Sequence, residues 1–211
     1  MNNSFQLKVG VSVLCAIVAC ATAEKSAHST AVKKGEVFNH PSFGISFPLP
    51  FGWNVVSKNL NDFRKKKSLE ITTFNESTKN EVENRIQRLL VLQKYPSGTA
   101  PGKNTSINIS SALAYEKQQP IEYQEALIQQ LNDMIQGEVK NISKPEMVVL
   151  GGRKFARMSN KFSIKEMEIY QLEYDTFDGD YILSLQIAGA SQNELKEADA
   201  ILQKINFGET K

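Results

Sequence analysis

Three carboxylates within six residues, Asp175, Asp178 and Asp180, form an oxygen-rich cluster of the kind that binds hard cations such as calcium. The spacing is not that of an EF-hand loop, and Asp-Gly turn chemistry accounts for Asp178 and Gly179 without any metal. Softer ions prefer imidazole and thiolate, and His40 is the one histidine beyond the amino-terminal segment that holds His28. A hydrolytic site needs a base beside serine or cysteine, because an unassisted hydroxyl is a poor nucleophile at neutral pH. His40 is the sole candidate base; it stands next to Pro41 just before an extended run, and no Gly-x-Ser-x-Gly turn occurs in the chain. Carboxylate pairs working without histidine find no support in the spacing. The sequence therefore leads us to expect no enzyme, no catalytic residue, no metal ligand and no cofactor.

Binding leaves weaker marks than catalysis. Trp53, the single tryptophan, follows Gly52 where the chain leaves the corner Pro48-Leu49-Pro50-Phe51-Gly52. A lone aromatic behind a turn ordinarily pins the turn to a sheet; the functional reading makes Phe51 and Trp53 the wall of a ligand cleft. Alternation places Glu166, Glu168, Tyr170, Leu172 and Tyr174 on one face of a strand, with Met167 on the other. Core packing explains Tyr170 and Tyr174, and a partly exposed row would instead offer a docking surface. Arg64-Lys65-Lys66-Lys67 is the one local excess of charge. It reads as a solvated loop or as a contact for anionic lipid or an acidic partner, each cation near a charged membrane being worth about 1 kcal/mol. With a formal net charge of +2 for the whole chain, nucleic acid is not suggested as a partner.

Location is more legible than chemistry. Met1 to Lys8 is polar, Val9 to Ala19 is apolar, and small residues follow through Ala23. This is a secretory signal whose apolar run falls well short of the ~20 residues of a spanning helix. Residues 1–23 are read as the signal segment, 24–36 as a flexible tether of Ala, Ser, Thr and Lys, and 37–208 as a single domain. Two processing sites compete. Ala21-Thr22-Ala23 suits a general signal peptidase, whereas Ile17-Val18-Ala19-Cys20 resembles a bacterial lipobox with Cys20 as the lipid-bearing residue. Either places the protein in the periplasm or at the cell surface, lipid-anchored in the second case.

The two cysteines, Cys15 and Cys20, both lie in the export segment, so an oxidising compartment can form no bridge within the domain. Its thermal midpoint is expected to be the same with and without dithiothreitol in a calorimetric scan. A shift of several degrees would contradict that reading.

The composition, 41% hydrophobic and 23% charged over 211 residues, is that of an ordinary globular protein. Phe43, Ile45 and Phe47 alternate as in a strand, and Trp53, Val55 and Val56 resume one after the proline corner. Leu69 to Phe74 reads as another. Thr78 with Glu81 makes a capping-box pattern for a short helix passing into a strand at Leu89 to Leu92. Pro96 to Lys103 is a loop, Ile107 and Ile109 start a short strand, and Pro120 opens a helix whose Tyr123, Leu127, Leu131 and Met134 share a face until Gly137. Met147 to Leu150, Gly151-Gly152 and Phe155 to Phe162 form a hairpin. Glu166 to Asp175 pairs through the turn Phe177-Asp178-Gly179-Asp180 with the run from Tyr181, in which Leu183, Leu185 and Ile187 point inward and Ser184 and Gln186 outward. Ser191 and Glu194 cap a last helix carrying Leu195, Ala198, Leu202 and Ile205 on one face. Sequence-adjacent hairpins with helices long enough to cover them define an α+β fold.

In that order, Phe43-Gly44-Ile45-Ser46-Phe47-Pro48, Pro50-Phe51-Gly52-Trp53, Leu90-Val91-Leu92, Leu150-Gly151-Gly152 and Ile205-Asn206-Phe207 resemble the PsbP-like and DcrB-like families over about Val37 to Gly208. The resemblance implies a largely antiparallel central sheet with helices on both faces, in exported or lipid-anchored accessory proteins. The cofactor-related role of photosystem members does not carry over, because no residue here matches a metal-binding motif. The expected function is a non-catalytic accessory or interaction protein of the bacterial cell envelope with an unidentified envelope partner. The alternative is a binder of a small apolar or amphipathic ligand in a helix–sheet cleft.

Overall fold

A computed structural model describes residues 29–62, 76–98, 104–114, 116, 118–134, 138–164 and 167–208. The export segment with Cys20, the basic run Arg64 to Lys67, the strand expected at Leu69 to Phe74, Glu166 and Gly137 lie outside the described residues.

The chain runs β1 (Ser29–Ala31), β2 (Val37–His40), a 3-10 turn (Pro41–Phe43), β3 (Ile45–Pro48), β4 (Asn54–Val56), α1 (Glu76–Arg85), β5 (Ile86–Gln93), β6 (Ser106–Leu113) and α2 (Pro120–Met134). It continues through β7 (Glu138–Asn141), β8 (Glu146–Leu150), β9 (Arg153–Ile164), β10 (Met167–Asp178), β11 (Tyr181–Gly189), α3 (Gln192–Leu202) and β12 (Asn206–Phe207). The large sheet has the order β1-β4-β5-β6-β11-β10-β9-β7, with β8 also on β9, and every pairing in it is antiparallel. A small sheet, β12-β3-β2, closes over one side. This is the expected α+β architecture.

Local chemistry sets the hairpins. Gly151 and Gly152 both have positive φ, 55° and 86°, as a two-residue turn matching strand twist requires. Gly151 is also a packing site: a Cβ there would come within 2.5 Å of the Ile205 carbonyl oxygen, so the hairpin tip can lie against β12 only because nothing projects from it. Ser191 caps α3 as expected, its hydroxyl accepting from the Glu194 amide at 3.3 Å. Glu194 answers by accepting from the Ala190 amide at 2.6 Å. Thr78, expected at a helix start, lies within α1.

The sheet is covered on both faces. Leu195, Ala198 and Leu202 of α3 pack with Leu183, Leu185, Ile187, Ile107, Ile109 and Leu92, and the small sheet adds Ile45 and Phe47 to that cluster. Tyr123 and Leu127 of α2 pack on the opposite face against Met158, Phe162, Ile169 and Ile182.

Two expectations are corrected here. The tether is shorter than read: Ser29–Ala31 pairs with β4 and Val32 is buried in the core, because extended Ser-Thr-Ala satisfies its backbone on a free sheet edge without apolar periodicity. Gln186 and Ser184 are not solvent-facing: both are buried, since their side of β11 is also covered.

Candidate functional site

Alternation along the central strands puts polar side chains of β6, β10 and β11 into neighbouring rows on the α2 side. Register aligns Glu173 with Gln186 and Gln186 with Asn108; beside that row, Asp175 aligns with Ser184 and Ser184 with Ser110. All six are buried, and Glu173, Asp175 and Gln186 have no exposed surface. Glu173 accepts from Gln186 Nε2 at 2.8 Å and from Gln171 Nε2 at 3.1 Å. Asp175 accepts from the Ser184 hydroxyl and from Gln124 Nε2 at 2.9 Å. Gln124 reaches down from α2, and its amide also donates to the Ala156 carbonyl at 3.0 Å. It therefore pins the helix to the sheet.

Charge in this layer is costly. Burial pushes the Asp175 carboxyl up to about 6, and the hydrogen bonds from Ser184 and Gln124 offset only part of that rise. The amides give their hydrogens to acceptors, leaving Gln124 Oε1, Gln171 Oε1, Gln186 Oε1 and Asn108 Oδ1 buried without a hydrogen bond. Period-2 reading missed this layer because alternation marks a second face without saying what covers it. The usable signal was the run of polar residues at alternate positions on adjacent strands, Asn108 and Ser110 beside Ser184 and Gln186.

Apart from His40 and Asp178, which line one hollow with Phe43 and Tyr181, the sequence-based candidates are scattered. Asp175 points into the interior, whereas Asp178 pairs with Arg153 at 2.7 Å and Asp180 is exposed in the turn. A cation site made of these three is not assembled. Among the described residues no group of three His, Cys, Asp or Glu that could hold a metal lies together. His40 is half-buried, its ring 5.2 Å from that of Phe43, with Nδ1 lacking a partner.

Trp53 is 8% exposed and belongs to the core, whereas Phe51 is 74% exposed. They do not form one wall, because one is packed into the core and the other stands in solvent. The aromatic row also divides. Tyr174 is fully buried and donates to Asp199 Oδ1 at 2.7 Å; burial, then Asp199, pushes its phenol far above the ordinary range. Tyr170 is half-buried with Lys161 Nζ 5.6 Å over its ring, and Glu168 pairs with Lys161. α3 covers this face, so Tyr174 is no docking residue.

Several concave features occur among the described residues, including one of about 680 Å³ lined by Asn61, Asp62, Arg88 and Leu90 and one of about 300 Å³ lined by His40, Phe43, Asp178 and Tyr181. A cleft of about 270 Å³ between α3 and the sheet is lined by Leu172, Leu195 and Ile142, with Arg157 and Lys196 also present. It lies away from Trp53 and is smaller than the ~300–1,000 Å³ of common ligand sites. A groove of about 500 Å³ runs between the first turn of α2, at Pro120 and Ile121, and the β8–β9 hairpin, at Met147, Val149 and Lys154. Met147 and Val149 are 44% and 66% exposed.

No family model matches the chain, and no curated protein does. Solved structures similar to it include LpqN, involved in cell envelope biogenesis of Mycobacterium tuberculosis, at 11% identity over 86% of this chain and 91% of that one, with a TM-score of 0.46. They also include cyanobacterial PsbP (CyanoP) from Synechocystis sp. PCC 6803, at 11% identity over 89% and 97%, with a TM-score of 0.48.

Proposed function

We propose that the protein is a non-catalytic accessory or interaction protein of the cell envelope. The observation that carries this reading is the placement of large apolar side chains outside a well-packed interior. Phe51, Val149, Val37, Tyr95, Leu113, Met147, Tyr181 and Ile142 are all more than a third exposed; Met147 and Val149 gather with Pro120 and Ile121 in one groove, and contiguous apolar surface is what partner proteins cover. The polar interior supports the same reading, because its carboxylates, amides and hydroxyl are buried beneath α2 and hydrogen-bond one another. The signal segment supports an exported location, and Cys20 a lipid attachment. Among the described residues no helix is long and apolar enough to cross a membrane.

The test combines two measurements on the full chain. Chemical crosslinking in native envelopes is expected to yield a discrete adduct with another envelope protein. Purified protein is expected not to turn over a generic ester. Ester turnover abolished by His40→Ala would overturn the reading in favour of a hydrolase.

A further inference from the structure

We propose that the outer edge of β8 is a docking site for an extended segment of a partner protein, apolar at alternate positions and bearing a carboxylate that meets Lys154. The proposal rests on reading the protein as an interaction module and names the surface and the chemistry of what it binds.

The backbone supplies the first argument. The two-residue Gly151-Gly152 turn makes Leu150 and Arg153 the closing pair of the hairpin. In such a turn the closing pair exchanges both hydrogen bonds, and bonded and non-bonded pairs then alternate. Val149 and Met147 consequently turn their N–H and C=O groups away from β9. Among the described residues β9 is the only strand paired with β8, and no backbone bond from Met147 or Val149 reaches another segment.

The side chains supply the second. The residues with outward backbone groups, Met147 and Val149, are the ones whose apolar side chains stand exposed in the groove with Pro120 and Ile121. A strand added to this edge gains main-chain hydrogen bonds and places alternate side chains in that groove. Free edges are ordinarily guarded by lysine, proline or a bulge. Lys144 and Pro145 stop short of the strand, and Glu146-Met147-Val148-Val149-Leu150 itself contains neither residue type, pairs with β9 in unbroken register, and has its one charge engaged with Arg157.

Charge supplies the third. Lys154 lies opposite Val149 in the register and lines the groove, yet none of the ion pairs among the described residues involves it. A cation at the side of an apolar groove favours a segment that brings a carboxylate to it.

The experiment places a benzophenone-bearing phenylalanine at Met147 of the full chain in its native envelope, with the same probe at Phe51, Tyr95 or Tyr181 for comparison. The Met147 probe is expected to give a discrete adduct mapping to a partner segment that alternates apolar residues and contains Asp or Glu. Val149→Pro removes an outward N–H without breaking the β8–β9 ladder, and should cut the adduct about tenfold while Val149→Thr retains it. Lys154→Gln, which leaves the backbone untouched, should lower it several-fold; it decides the matter if Val149→Pro shifts the thermal midpoint. An adduct unchanged by Lys154→Gln and Val149→Pro, or one mapping to lipid, to a helix or to a second copy of this chain, overturns the proposal. Adducts from another probe position but none from Met147 overturn the β8 site and leave the interaction reading standing. No adduct from any position overturns both.

Discussion

Leu185→Ala is expected to destabilise the domain by about 2–5 kcal/mol, measured as the loss of unfolding free energy in urea. Leu185 is fully buried in the cluster that α3 closes, at the centre of β11 between β6 and β10. Truncation there leaves a cavity that strands bonded on both sides cannot collapse to fill. Gln186→Ala is expected to cost about 1–3 kcal/mol, because it takes a hydrogen-bond donor from buried Glu173. On a sheet with one solvated face the second substitution would be nearly neutral. A cost for Gln186→Ala below about 0.5 kcal/mol, the usual range for surface changes, would show that water reaches this row.

Asp175 should make stability fall as pH rises from about 4 to about 7. Its folded value, pushed up to about 6 by burial, lies above the ~3.9 of an unfolded aspartate. The native state therefore holds the proton more tightly. That contribution is fully present below the unfolded value and is lost as pH rises through about 6, amounting to about 3 kcal/mol. Other groups titrate over the same range, so the comparison must be between two proteins rather than two pH values. Asp175→Asn keeps the shape and cannot ionise. Gln124 Oε1, unpartnered in the native layer, can accept from the new amide once the Gln124 side chain turns over. The difference in unfolding free energy, variant minus native, is expected to increase from pH 4 to pH 7. Parallel curves for the two proteins would show that Asp175 has the same proton affinity folded and unfolded.

The two predictions separate what local pattern can encode from what packing decides. The hairpin at Gly151-Gly152 was readable because positive φ at two successive residues is a property of the turn itself. The turn before Tyr181, centred on Gly179-Asp180 one residue beyond the expected Asp-Gly pair, the Ser191 cap of α3 and the Pro120 start of α2 were readable for a related reason: each rests on residues acting within a short stretch of chain. Alternation in β11 also located Leu183, Leu185 and Ile187 on one face, and the α+β architecture followed from hairpins and helix lengths.

Burial is different, because it sums contributions from segments far apart in sequence. Nothing within Tyr181 to Gly189 says that a second helix, 50 or more residues earlier in the chain at Tyr123 to Leu127, covers the side holding Ser184 and Gln186. The polar layer of Glu173, Asp175 and Gln124 therefore existed only once α2 and three strands met. The same distinction governs the candidate site. The sequence supplied Phe51, Trp53, Tyr170 and Tyr174 by residue type, while the tertiary structure sent Trp53 and Tyr174 into the core and left Phe51 outside. It also left Met147 and Val149 on a strand edge that, among the described residues, no other segment pairs. Residue type sets what a side chain can bind, and the sequence determined that much alone; which side chains remain free to bind depends on what the rest of the chain covers, and only the folded sheet and its helices decided it.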